Sequence, residues 1–190
     1  MYFHDLESFE DWQAHIFALT SKLGQLDSRI NKAIEIVKEY HNQPRTITKG
    51  NYNRHPLRVA RILSEEMNVL DEQSILIALC HDLGEWSDYD INNLKLEFGD
   101  EVYKGVQILT WNQKDEWSDF VDGIVNSGID NLVAIKIADK LDNNRAISLS
   151  GSDEEKIKAR NKTVEVILPL VEKHYPAMVD TYHEVLNRLK

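Results

Sequence analysis

Apolar residues recur along this chain at steps of three and four, and no alternating strand pattern runs longer than about four residues. That spacing is the strongest constraint on the fold, and it predicts an all-α domain. Leu6, Phe9, Trp12, Ile16, Leu19 and Leu23 form one helical stripe over 6–24. Residues 1–26 are expected to be an accessory helix on a single domain spanning 1–190. Asp27 or Ser28 can cap a second helix, lined by Ile30, Ala33, Ile34, Val37 and Tyr40 and stopped by Pro44. Later helices are predicted over 91–99, ending at Gly99, and from an Asp100 cap through Val102, Val106, Ile108 and Leu109. A short helix falls within 111–122. A strong helix from an Asn131 cap runs from Leu132 to about Ile147. Glu155–Glu172 reads as helical, with Ile157, Val164, Ile167, Leu168 and Val171 inward and a kink near Pro169. A last helix runs from Pro176 through Met178, Val179, Tyr182, Val185 and Leu186.

Composition fits one folded unit. The 190 residues are 42% hydrophobic with only 4 Pro and 8 Gly, which excludes a disordered chain. A net charge of −10 opposes general nucleic-acid binding, so an anionic small molecule would need local cations or a metal. The single cysteine, Cys80, allows no internal disulfide and points to a reducing, cytoplasmic setting. No apolar run reaches membrane-spanning length and the first residues lack a signal-peptide layout, so no membrane partner is expected.

The chemistry gathers at two helix ends. Residues 44–54 form a loop carrying Arg45, Lys49 and Arg54. His55-Pro56 follows, and proline favours the first helical position, so His55 is expected at or just before the N-cap. Val59, Ile62, Leu63 and Met67 face inward. After a turn over 68–71, Asp71 caps a helix through Ile75, Leu76, Ala78 and Leu79 that ends at His81-Asp82, with Gly84 suited to a left-handed C-terminal position. Two antiparallel helices with a short connection bring His55 and His81-Asp82 together. On the 132–147 helix, Lys136, Asp139 and Asn143 share one stripe.

A buried His-Asp pair needs compensation, and a metal ion supplies it. His55, His81, Asp82 and Asp139 make a mixed N/O set suited to a divalent ion of the Mn, Fe or Co type. Such an ion lowers the pKa of a water and polarises a phosphoryl oxygen. Glu85 is close enough in sequence to orient or deprotonate that water. Each residue alone has a plainer reading: a single helical His is more often structural, and Asp139 could pair with Lys136 or Lys140.

The combination resembles the HD-domain metal-dependent phosphohydrolases, whose ligand pattern is His…His-Asp…Asp. His55-Pro56-Leu57-Arg58-Val59-Ala60-Arg61-Ile62-Leu63 is similar to the His-Pro helix of the RelA/SpoT-type alarmone hydrolases. Ala78-Leu79-Cys80-His81-Asp82-Leu83-Gly84-Glu85 resembles their His-Asp-x-x-Glu-Asp helix end, and Glu97-Phe98-Gly99-Asp100-Glu101-Val102 their Glu-Phe-Gly step. Ile135 to Arg145 resembles their Lys-x-Ala-Asp helix, and His41-x-Gln43-x-Arg45 continues the likeness upstream. The resemblance implies a single-domain HD-type helical bundle and one Mn2+ ion held by His55, His81, Asp82 and Asp139. It implies Glu85 as the acid that activates water, and a nucleotide held by Arg45, Lys49, Tyr52, Asn143 and Lys156. The implied reaction removes the 3′-pyrophosphate of guanosine tetra- or pentaphosphate. No synthetase region is expected in this length.

Two departures lie near the substrate. Trp86 stands where the family has an Asp after the motif Glu, with Asp88 the nearest substitute. The loop Thr48-Lys49-Gly50-Asn51-Tyr52-Asn53-Arg54 lacks the family's Ser-Gly-Glu-Pro-Tyr pattern. They keep two alternatives open: an HD phosphohydrolase for another nucleotide or phosphate ester, and a nucleotide-binding regulator with little turnover. Trp111, Trp117 and the N-terminal helix are candidates for a homo-oligomer interface.

Overall fold

The computed structural model describes residues 12–24, 27–42, 54–112 and 116–190, with side chains of the first helix from His15 onward. Every regular element among them is helical. In chain order these are α1 (Trp12–Leu23), α2 (Ser28–Tyr40), α3 (Arg54–Arg61), α4 (Glu72–Cys80) and α5 (Leu83–Trp86). Next come α6 (Asn93–Phe98), α7 (Asp100–Leu109), α8 (Trp117–Val125), α9 (Leu132–Ser150), α10 (Asp153–Lys162), α11 (Leu168–His174) and α12 (Val179–Arg188). The all-α expectation holds.

The bundle is built around α4. All six residues from Ile75 to Cys80 are fully buried, so this helix has no polar face to turn outward. It packs against α2, α3, α7 and α9. Each large apolar side chain removed from water there contributes about 1.5–3 kcal/mol. The long α9 is the second pillar, packing against α3, α8, α10 and α12. Tyr182 on α12 donates its hydroxyl to the Ile137 carbonyl of α9 at 2.6 Å. Arg145 of α9 forks onto Glu66 with contacts of 2.6 and 2.8 Å. Arg29 of α2 donates to Glu72 at 2.8 Å and to the Phe98 carbonyl at 2.7 Å, closing the opposite side.

Caps follow the sequence in part. Asp27 accepts from the backbone N–H groups of Arg29 and Ile30, and Asp71 from that of Ser74 at 2.8 Å, as their residue types predict. Asn131 does not cap α9. Its backbone is left-handed (φ 62°) and its side chain donates to Asp71 across the bundle. Asp100 is the first residue of α7, preceded by Gly99 at φ 92°. α9 runs to Ser150, three residues beyond the expected end. Two π-helical turns, Ile62–Glu66 after α3 and Thr163–Ile167 after α10, interrupt what the apolar spacing reads as continuous helix. The second precedes Pro169, so the irregularity begins before the proline. Ile157 and Val164, expected inward, are 58% and 40% exposed.

Candidate metal centre

The α3–α4 hairpin does what its sequence predicts. The His55 ring, in the first turn of α3, lies 5.2 Å from the His81 ring, which follows α4 directly. His55 is the second residue of α3, since the helix begins at Arg54. Asp82 continues from His81 into α5. Asp139, in the middle of α9, reaches the same point because α9 packs across α3 and α4.

Donor atoms converge. His55 Nε2 is 3.4 Å from Asp82 Oδ2 and 3.3 Å from Asp139 Oδ1. His81 Nε2 is 3.2 Å from Asp82 Oδ1 and 3.9 Å from Asp139 Oδ1. His55, His81 and Asp82 present ligand atoms all within 4.8 Å of one another. Ligands bound about 2.1 Å from one ion sit roughly 3.0–3.4 Å apart, so these spacings suit a shared cation. His81 Nε2 is buried and has no hydrogen-bond partner among the described residues. Two imidazole nitrogens and two carboxylates therefore fit a divalent metal.

The ligands are braced from behind. His81 Nδ1 donates to the Ala78 carbonyl at 2.8 Å, and His55 Nδ1 to Asp142 Oδ2 at 2.6 Å. These partners assign the proton to Nδ1 in both rings and aim the Nε2 lone pairs at the centre. Asp142 is fully buried, and Arg58 satisfies its remaining charge through Nε (2.8 Å) and Nη2 (3.2 Å).

Electrostatics agree with this geometry. Burial alone would raise the Asp82 carboxyl, but His81 and His55 outweigh it and hold it well below the usual range. Burial likewise acts upward on Asp139, and Lys140, Lys136 and the histidines overcome it. Burial pushes His81 down, against the pull of Asp82 and Asp139, which keeps it neutral and available as a ligand.

Glu85 sits at the rim, half-buried on α5, its Oε1 accepting from the Trp111 backbone N–H at 2.5 Å. Burial raises its pKa; the Trp111 N–H opposes this, and Asp82 adds to the rise. A carboxylate so placed is suited to taking a proton. Gly84 is not left-handed: it lies inside α5, and a Cβ there would come 2.8 Å from Thr110 Oγ1. Its smallness lets α5 approach the end of α7 and so brings Glu85 to Trp111.

Of the residues assigned to substrate, Asn143 lies beside the centre, donating to Asp139 Oδ1 at 2.5 Å. Lys156 is half-exposed in the first turns of α10, and no contact among the described residues joins it to the cluster. Arg45, Lys49 and Tyr52 fall outside the described residues. Asp139 carries both of its sequence readings, since Lys136 and Lys140 approach its Oδ2 at 3.0 and 3.7 Å.

The sequence-derived set lacks Asp142, Arg58 and His41. Arg58 is three residues from His55 and Asp142 three from Asp139, so helical spacing carried a signal for both. His41, at the end of α2, is buried, and burial pushes its pKa down to about 4 against the pull of Asp82.

The family model for the HD domain matches residues 52–144, which hold all four candidate ligands and Glu85. The chain is 29% identical over 158 residues to a guanosine-3′,5′-bis(diphosphate) 3′-pyrophosphohydrolase of Aquifex aeolicus, covering 80% of this chain and 22% of that protein. It is 28% identical over 149 residues to a GTP pyrophosphokinase of Streptomyces antibioticus, covering 75% and 17%. The chain thus spans about a fifth of the length of these relatives. A solved structure, described as a metazoan ortholog of SpoT that hydrolyses ppGpp, superposes with a TM-score of 0.69 at 20% identity, covering 86% of this chain and 96% of that one. That likeness establishes the fold.

Proposed function

We propose that this chain carries an HD domain and is a divalent-metal phosphohydrolase removing the 3′-pyrophosphate of guanosine tetra- or pentaphosphate. The observation that carries the reading is the convergence of His55 Nε2 and His81 Nε2 on Asp82 and Asp139, with Glu85 at the rim. The similarity to an alarmone pyrophosphohydrolase over most of this chain supports the substrate.

His55, His81, Asp82 and Asp139 would hold the ion, with Mn2+ matching the N/O donor set. Such an ion supplies Lewis-acid polarisation of a phosphoryl oxygen and eases deprotonation of water. Glu85 takes the proton from the attacking water. The new bond joins that water's oxygen to the 3′ phosphorus; the bond to the ribose 3′ oxygen breaks, and that oxygen leaves as a hydroxyl by taking up the proton that Glu85 received. Products are pyrophosphate and GDP or GTP. Arg45, Lys49, Tyr52, Asn143 and Lys156 are proposed to hold the nucleotide. Asn143 does so while also bracing Asp139, which couples nucleotide position to a ligand. No helix among the described residues is long and apolar enough to cross a membrane. A small nucleotide substrate and a cytoplasmic location are proposed with this reading, the single Cys80 matching a reducing compartment.

The test is a panel of phosphorylated nucleotides incubated with Mn2+-loaded protein. Pyrophosphate release from the tetraphosphate is expected; a preference for 5′-mono- or triphosphates would overturn the substrate assignment. Trp86 in place of a second acid favours one other reading, an HD phosphohydrolase for a different nucleotide or ester, and the same panel separates the two.

A further inference from the structure

Next to the metal centre, α8, α9 and α10 bring together a group of cations that the ligand set does not account for. Lys140, Lys162 and Lys136 hold their ammonium groups 4.7, 5.0 and 5.2 Å from the centroid of the Trp117 ring. Lys136 is also 5.0 Å from Phe120, and Lys162 5.4 Å from Trp111. Trp111 and Trp117 meet edge to face at 5.4 Å. Thr163, the next residue after Lys162, accepts from Asn144 of α9 at 2.8 Å, which fixes the end of α10 beside the other two lysines.

In a chain with 32 acidic residues, Asp139 is the one carboxylate among the described residues that pairs with these ammonium groups within 4 Å, while Glu85 acts on Lys136 and Asp82 on Lys140 from farther away. Asp139 is already shared with His55, His81 and Asn143, and Lys162 makes no ion pair among the described residues. Crowding shows in the charges themselves. Burial, with Lys158 and Lys136 adding to it, lowers Lys162. A cation–π staple holding α8 to α9 needs one lysine on one ring face. Three around a single ring leave an excess of positive charge beside the place where phosphate chemistry is proposed.

We propose that Lys136, Lys140 and Lys162, arranged around Trp117, form a diphosphate-binding subsite on the Asp139 side of the metal centre, a proposal that rests on the phosphohydrolase reading above. Lysine binds phosphate as a flexible point charge, and several lysines match an anion that carries its charge on many oxygens. The ring surroundings are taken up by ammonium groups, so the aromatic shelf recognises phosphate rather than stacking a base. Glu85, tied to the Trp111 N–H, borders the same shelf. A diphosphate lying on the lysines would thus have its near phosphorus between Asp139 and Glu85. That is the leaving pyrophosphate rather than the 5′ end.

The probe is inorganic pyrophosphate, titrated into the full chain at fixed free Mn2+ and followed by tryptophan fluorescence. Lys162→Gln should weaken pyrophosphate binding about tenfold, the loss of one charge-assisted contact. It should raise KM for the tetraphosphate more than it lowers kcat and leave metal content unchanged, and Lys162→Arg should restore affinity. Unchanged pyrophosphate affinity in Lys162→Gln, with a lowered unfolding midpoint, would make the trio a structural staple and overturn the subsite. Lys140→Gln provides a second variant if Lys162→Gln fails to fold. If no nucleotide of the panel is turned over while pyrophosphate still binds in a Lys162-dependent way, the substrate reading falls and the subsite stands. Turnover of the tetraphosphate with Lys162-independent pyrophosphate binding gives the reverse.

Discussion

On one side of this centre, His55, His81, Asp82 and Asp139 are all buried, and each imidazole is gripped at its far nitrogen by the Ala78 carbonyl or by Asp142. On the other, Glu85 is half-buried on a one-turn helix, and the next residue, Trp86, is 49% exposed. Between them stand lysines that lean on aromatic rings and on one shared carboxylate. The metal side is over-determined: its candidate donors come from α3, the end of α4 and α9, and their partners lock both tautomers before any ion arrives. On the substrate side Glu85 accepts from the Trp111 N–H, and there the sequence departs from the pattern of the hydrolases it resembles. A buried metal half beside a more exposed acid half is how one fold can keep its chemistry while its substrate changes.

The largest effects should come from removing a ligand charge on the rigid side. Asp82→Asn and Asp139→Asn are expected to abolish stoichiometric metal binding and turnover together, read by elemental analysis and pyrophosphate release. Metal retained at full occupancy in either variant would mean that the buried cluster is not the metal site. Glu85→Gln should behave differently, keeping the metal and losing about 10²–10⁴ in kcat. Equal rates in Glu85→Gln and wild type would remove the base from the mechanism and leave the acid half without its main residue.

His41 tests whether the rigid side extends to α2. Burial pushes its folded pKa down to about 4, below the ordinary imidazole value of 6.5. The unfolded chain therefore takes up a proton first as pH falls. The stability that depends on neutral His41 is complete above about pH 6.5 and declines through the window down to about 4, by roughly 3 kcal/mol in total. His81 is shifted the same way and adds to the decline. Urea unfolding of metal-free protein at about pH 7 and pH 4.5 should show the loss, and His41→Gln should flatten most of it. An equally steep decline in the variant would place the acid sensitivity elsewhere.

Asp142→Asn removes the charge behind His55 but keeps its shape. It is expected to weaken metal affinity by about 10–100-fold, the usual cost of losing a partner behind a ligating histidine. Arg58, buried against Asp142, would also lose its counter-charge, so the unfolding midpoint should fall. A midpoint that falls with metal affinity unchanged would limit Asp142 to a structural role.

The contrast between the two halves also explains what could be read in the sequence. The convergence of the candidate ligands was legible because each sits at a helix end or on an amphipathic stripe, where spacing determines position: His55 opens α3, His81-Asp82 close α4, and Asp139 lies on the face of α9 that turns inward. The all-α fold followed from the same spacing. The π turns at Ile62–Glu66 and Thr163–Ile167 were not legible, since one extra residue per turn leaves no mark on apolar periodicity. Asn131 read as a cap, yet its amide found Asp71, sixty residues away in sequence. Gly84 read as a left-handed stop, and only its distance to Thr110 reveals close approach as its purpose. The lysine–tryptophan group escaped for a similar reason. Lys162, Trp117 and Lys136 come from three helices, and no local pattern links them.

The smallest expected effect concerns the residue that most separates this chain from the family pattern. Trp86 is half in water, so Trp86→Asp should cost little packing and leave metal content as it was. The new carboxylate would stand directly after Glu85. An exposed like charge shifts a neighbour only slightly in water, so the pKa of Glu85, already raised, should rise a little further. If the acid half limits the rate, kcat on the tetraphosphate should climb by less than about tenfold, with KM nearly constant. A fall in kcat would show that the tryptophan itself contributes to the substrate surface. The departure at this position would then be a change of substrate contact rather than the loss of an acid, and the loosely held half would be the part of the site adapted to its own ligand.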